Sequence, residues 1–166
     1  MISRYTFIPG RPRWRKTRLK YAFNRNVREE AIPPLERAMK EWASVMFFKF
    51  IRVKSIARAD IRFSFMRGDH GDGLPFDGPE PKGGLAHSFP APDGRVHFDA
   101  AQKWSAHGEE DGIDIQTVGL HELGHVLGLG HSSVHEAVMY PVISPGERKS
   151  LHEDDIRGIK ALYKFK

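Results

Sequence analysis

The chain is expected to fold as a single α+β domain of five strands and three helices, and three observations predict this. Its 166 residues are 40% hydrophobic and 28% charged, a composition and length that suit one globular core burying roughly two-thirds of the unfolded chain's surface. Segments with strand-like alternation and segments with helical spacing follow one another with no internal repeat and no linker between them. A long stretch dense in Gly, Pro and Asp lies in the middle. A compact domain tolerates such a loop only when something besides apolar burial organises it.

In chain order, residues 1–17 are expected to form an irregular, solvated basic arm. The stretch carries Arg11, Arg13, Arg15 and Lys16, with Arg18 and Lys20 just beyond. Pro9 and Pro12 interrupt Met1 to Lys20, so it is not a secretory signal. Arg18 to Phe23 reads as the first strand. A helix follows in which Pro33 and Pro34 are tolerable only near its first turns, with Leu35, Ala38, Met39, Trp42, Ala43 and Met46 at helical spacing. Phe48, Phe50, Ile51 and Val53 suggest a second strand, and the alternation of Ile61, Phe63 and Phe65 a third. Gly68 to Gly94 should be mostly loop, with short strands at Leu85 to Phe89 and Arg95 to Phe98. From Ile113 to Leu129 an apolar helical pattern returns and ends in glycines. Leu151 to Tyr163 closes the chain as a helix, with Asp154 and Asp155 in the first turn, where the helix dipole favours negative charge.

Composition excludes several classes of function. There is no cysteine, hence no disulfide and no thiolate metal site. A bound metal must be held by the nine histidines and the carboxylates. No apolar run approaches the roughly 18 residues that a membrane-spanning helix needs. The formal charge of +5 comes with no nucleic-acid-binding motif; the amino-terminal arginines suit at most a secondary contact with acidic polysaccharide.

The chemistry is concentrated in His121-Glu122-Leu123-Gly124-His125-Val126-Leu127-Gly128-Leu129-Gly130-His131. Residues four apart share a helix face, so His121 and His125 can present their imidazoles to one ion. His131 completes the set if the chain turns back, and Gly128 can permit the turn because glycine accepts positive φ without penalty. Three neutral nitrogens and an open position describe a catalytic zinc site. Glu122, beside the first ligand, is placed to serve as general base. The competing account, an amphipathic helix with incidental histidines, leaves the joint offsets of Gly128 and His131 unexplained.

This motif resembles that of the metzincin metalloendopeptidases, and Val138-Met139-Tyr140-Pro141 resembles their methionine turn. Within that clan the whole chain is similar to the matrixins (the matrix metalloproteinases), through Arg13-Trp14, the block from Arg67-Gly68-Asp69-His70 to Pro75-Phe76-Asp77-Gly78-Pro79, and Leu151 to Tyr163. The Asp99-Ala100-Ala101 run resembles the plant branch most.

The resemblance implies a zincin-like fold, with a twisted mixed five-stranded sheet, three α-helices and an active-site cleft. It implies Met139 as a floor beneath the histidines, a structural zinc on His70, Asp72, His87 and His97, and one calcium on Asp77, Asp99, Gln102 and carbonyls from Gly78 to about Gly83. Gln102 stands where a glutamate is usual, so calcium should bind more weakly there. A further calcium, expected at Asp60 and the loop before His97, meets Arg95 in place of an aspartate and should be absent or much weakened. Peptide substrates should pair with the Gly84 to Phe89 edge, around Ala86. The residue after the scissile bond, expected to be hydrophobic, should meet a pocket walled by Thr117, Val118, His121 and Pro141 to Ile143.

Hydroxamate-type or protein inhibitors, a monomeric state, and an extracellular or cell-surface location are further implications. Any propeptide, targeting segment or membrane anchor is expected outside these residues, leaving the mature form. A non-catalytic metal-binding module and a metzincin of another branch are the alternatives; Glu122 speaks against the first and the second histidine set against the other.

Overall fold

Alternation along Arg18–Phe23 buries Leu19, Tyr21 and Ala22 and makes this segment β1. In the computed structural model, which describes residues 2–79 and 84–164, a five-stranded sheet forms around it. β2 (Lys49–Arg52), β3 (Ile61–Met66), β4 (Ala86–Ser88) and β5 (Arg95–Asp99) complete that sheet in the order β2-β1-β3-β5-β4. Neighbours run parallel except at one edge, where β4 lies antiparallel to β5.

Pro33 and Pro34 fall in the first turn of α1 (Ile32–Val45), where the missing N–H groups have no intrahelical partner to lose. The face carrying Leu35, Ala38, Met39 and Trp42 is buried against the central helix α2 (Ile115–Leu127). Two contacts fix that approach. The Trp42 indole donates to the Leu120 carbonyl at 2.9 Å, and a Cβ at Gly119 would fall 2.6 Å from Leu35 Cδ2. The closing helix α3 (Glu153–Leu162) begins with a reciprocal cap, in which the His152 side chain and the Asp155 carboxylate each accept a backbone N–H of the other's end.

Two expectations need correction. Ile113–Asp114 is not helix but β7, a short strand parallel to β6 (Trp104–Ser105). Asp114 must stay extended because it is the N-cap of α2, its carboxylate accepting the Thr117 N–H at 2.9 Å. Along the amino-terminal arm Arg11, Arg13, Arg15, Lys16 and Arg18 are exposed, but its backbone is not free in solvent. Phe7 forms a β-bridge with Leu129, and Trp14 is buried, with its indole donating to the Val126 carbonyl at 3.0 Å. The arm's apolar residues belong to the core, which charge alone could not reveal.

Replacing Trp14 with alanine removes a buried ring and orphans the Val126 carbonyl. Urea unfolding of Trp14→Ala should show a loss of about 3–5 kcal/mol, whereas a solvated arm would give almost none.

Candidate metal centre and cleft

His121 and His125 lie one turn apart on α2, with ring centroids 4.7 Å apart. The helix stops at Gly128, whose φ of 110° lies in the left-handed region. Its N–H bonds the His125 carbonyl at 2.9 Å, and the Leu129 N–H bonds the Gly124 carbonyl at 2.9 Å. A side chain here is excluded on a second ground, because a Cβ would lie 2.3 Å from the Pro12 carbonyl oxygen. The reversal brings the His131 ring to 5.4 Å from His121 and 4.9 Å from His125.

The tautomers follow from the partners. The His121 Nδ1 faces the Val138 carbonyl at 2.7 Å and the His125 Nδ1 faces the Leu129 carbonyl at 2.8 Å. A carbonyl can only accept, so both Nδ1 atoms carry hydrogen and both Nε2 atoms present lone pairs. Those lone pairs converge at 3.0 Å, an arrangement that repels unless a cation stands between them. Burial lowers the pKa of all three imidazoles, that of His121 to about 3. The donor set fits zinc, with carbonyl-anchored rings of the kind that orient metal ligands.

Met139 is buried beneath this turn, and a Cβ on Gly124 would fall 2.2 Å from its sulfur. The first turn of α3 holds the methionine turn in place. Asp155 accepts the N–H groups of Val138 at 2.9 Å and Met139 at 3.1 Å. The adjacent Asp154 accepts the Ser132 hydroxyl at 2.7 Å. From the other side, the Thr6 hydroxyl donates to the His131 carbonyl at 2.7 Å.

Glu122 is buried, and burial raises its pKa to about 7, against a hydrogen bond from Ser88. The Ser88 hydroxyl lies 2.7 Å from Glu122 Oε2 and 3.0 Å from the Glu122 carbonyl. Ser88 was not foreseen, yet a signal existed. Alternate strand residues share a face, so a strand that points His87 one way points Ala86 and Ser88 the other.

His87 points into the second cluster. The antiparallel register sets His87 directly opposite His97, where paired side chains lie close together. The Asp72 Oδ2 sits among three rings, 2.9 Å from His70 Nε2, 2.7 Å from His87 Nε2 and 2.8 Å from His97 Nδ1. Burial opposes ionisation of Asp72, but hydrogen bonds from His87, the Leu74 N–H and His97 outweigh it and hold the carboxyl well below the usual range. Histidine and carboxylate groups able to hold a metal occur in two clusters among the described residues, and these are the two sets expected. No open face is needed in the second, so its donors suit a closed structural zinc.

Of the expected calcium set, Gly78, Asp99 and Gln102 lie together. Gln102 turns its amide nitrogen to the Gly78 carbonyl at 2.9 Å and to Asp99 Oδ2 at 3.0 Å, where calcium requires oxygens. Asp77 is exposed, and carbonyls 80–83 lie outside the described residues.

Between β4 and α2 runs a cleft of about 500 Å³ that Ala86, Val118, Pro141 and Ile143 line together with the histidines and Glu122. Thr117 is not among its walls. It is buried, and its hydroxyl is engaged in donating to Asp114 at 2.6 Å and accepting the Lys149 N–H at 3.0 Å. Ile8, Leu85 and Pro90 line the cleft instead; Ile8 was invisible beforehand because only tertiary folding brings the arm there.

A twisted mixed sheet, three helices and an HExxHxxGxxH turn over a buried methionine define a zinc-metallopeptidase domain. The matrixin family profile matches residues 13–164, and the chain belongs to the matrixin family. Relatives include Metalloendoproteinase 2-MMP of Arabidopsis thaliana, 44% identical over 98% of this chain and 46% of its own length. Metalloendoproteinase 1 of Glycine max is 43% identical over 98% of this chain and 56% of its own. Matrix metalloproteinase-20 of Homo sapiens is 39% identical over 98% and 34%. The chain thus spans about half the length of the plant relatives it matches.

Asp155→Ala would orphan the buried amides of Val138 and Met139 as well as the His152 N–H, which Asp155 accepts at 2.8 Å. At about 1–3 kcal/mol for each orphaned group, thermal unfolding should fall sharply, and metal analysis after dialysis should find less zinc retained.

Proposed function

We propose that the chain is a zinc-dependent endopeptidase domain in which His121, His125 and His131 hold the catalytic ion and Glu122 is the general base. The observation that carries this reading is the convergence of anchored, neutral imidazoles beside a buried carboxylate on the wall of an open cleft. Zinc, when bound, lowers the pKa of a coordinated water and polarises the scissile carbonyl. Glu122 takes a proton from the attacking water and delivers it to the leaving amine. Its burial suits both roles, since a carboxyl raised towards neutrality exchanges protons readily near neutral pH. Ser88 keeps the carboxylate turned towards the cleft.

β4 is the edge strand of the sheet and borders the cleft. An extended peptide can pair along Gly84 to Ser88 by main-chain hydrogen bonds, gaining affinity with little demand on sequence. Selectivity then rests on the apolar walls of Val118, Pro141 and Ile143, which favour a hydrophobic residue just after the scissile bond. His70, Asp72, His87 and His97 hold a second, structural zinc whose binding contributes to folding. Hydroxamate-type groups would bind the open coordination position, and secretion or cell-surface display follows the habit of the family.

Glu122→Ala should lower cleavage of a fluorogenic peptide by at least about a hundredfold while metal analysis finds the zinc content unchanged. Full activity in that variant would remove Glu122 from the mechanism. In a peptide library, leucine-like or aromatic residues should dominate directly after the cut, and a preference there for charged residues would contradict the assigned pocket.

A further inference from the structure

We infer that this chain meets the structural role of its family's calcium ions with hydrogen-bond donors of its own, so that the loops around β5 hold their shape without calcium. At the first position, Asp99 is fully buried at the end of β5 and the Gly78 carbonyl faces it from the Gly-rich loop. The Gln102 amide bridges the two, using both hydrogens of its nitrogen. The reverse orientation would aim Gln102 Oε1 at two acceptor oxygens, which is unfavourable unless a cation lies between them, so without an ion the nitrogen faces both. The other Asp99 oxygen accepts the Ala101 N–H at 2.9 Å. A neutral bridge stands where a divalent ion would otherwise be needed to join carbonyl and carboxylate.

At the second position Arg95 stands in place of the expected aspartate, and cations of the chain engage both Asp60 and the neighbouring Asp93. Lys16 Nζ lies 2.6 Å from Asp60 Oδ1, and the Lys20 N–H donates to Oδ2 at 2.8 Å. Arg95 grips Asp93 with a two-pronged fork, Nε to Oδ1 and Nη2 to Oδ2, each 2.8 Å. Arg62 donates to the Asp93 carbonyl at 2.6 Å. The turn these groups secure presses directly on its neighbour, since a Cβ at Gly94 would lie 1.9 Å from the Asp60 carbonyl oxygen. A divalent ion entering here would have to displace an ammonium and sit beside a guanidinium, and like charges at such range repel. Fixed positive charge and an amide thus supply at both places the cross-linking that an ion supplies elsewhere.

The test is a stability measurement on the zinc-loaded protein, so it is independent of whether the chain cleaves peptides. Thermal unfolding is followed in calcium-free buffer and again in millimolar calcium, with magnesium as control and calorimetric titration of calcium alongside. The wild-type midpoint should move by less than about 1 °C, with no saturable heat. Gln102→Glu restores a carboxylate and deletes the bridging donor, so it should melt lower without calcium and recover by about 5 °C or more with it. Gln102→Ala should melt lower and show no recovery. A wild-type response as large as that of Gln102→Glu overturns the inference, as does a Gln102→Glu protein that folds yet gains nothing from calcium. If Gln102→Glu folds in neither buffer, the wild-type titration decides, because tight calcium binding there overturns the inference and its absence sustains it.

Discussion

At Gly128 the backbone enters the left-handed region with the Pro12 carbonyl oxygen in the space a Cβ would take, and most of the site's geometry depends on this close approach. The reversal ends α2 one turn after its second histidine and sends the chain back so that the His131 ring closes on the other two. It also leaves the Leu129 carbonyl facing His125 Nδ1. The element that orders the third ligand therefore also fixes the tautomer of the second. Pro12 can approach only because no Cβ intervenes. The amino-terminal arm is thereby drawn over the turn and locked by its bridge to Leu129 and by Thr6.

A three-residue strand connects the two metal-ligand clusters. β4 points His87 to one side, towards Asp72 and His97, and Ala86 and Ser88 to the other, where they meet the cleft and Glu122. Alternation along an extended chain makes this unavoidable: a strand that supplies a ligand on one face must offer its neighbours to the opposite face. Movement in the Gly-rich loop that carries His70 and Asp72 would be felt through His87 at the hydroxyl touching the buried carboxylate. The order of that loop bears on the chemistry without touching it.

Surplus basic residues take on a structural meaning in this frame. Lys16 reads in isolation as a solvated charge and Arg95 as a cation in place of an aspartate, but each is held by a particular acid, Asp60 or Asp93, beside the starts of the inner strands β1, β3 and β5. Exposed ion pairs contribute little to stability individually. Their weight here lies in where they stand, at junctions between loops and strands.

The linear sequence by itself determined what depends on short-range periodicity and fixed offsets. The strands from Arg18 to Phe23 and from Ile61, the helices around Trp42 and His121, and the ligand triad were legible because helix and strand periods and the φ freedom of glycine are local properties. The two histidine sets were legible as sets, although the second needed the family resemblance to gather residues from His70 to His97. Contacts between distant segments were decided only by the tertiary structure. Thr117 reads as a pocket wall until Asp114 and Lys149 are seen to engage its hydroxyl, while Ile8 and Ser88 reach the cleft from elsewhere in the chain. Whether Gln102 offers an oxygen or a nitrogen to its neighbours is likewise undetermined in one dimension. An amide can do either, and only the two acceptor oxygens that the fold places before it force the choice.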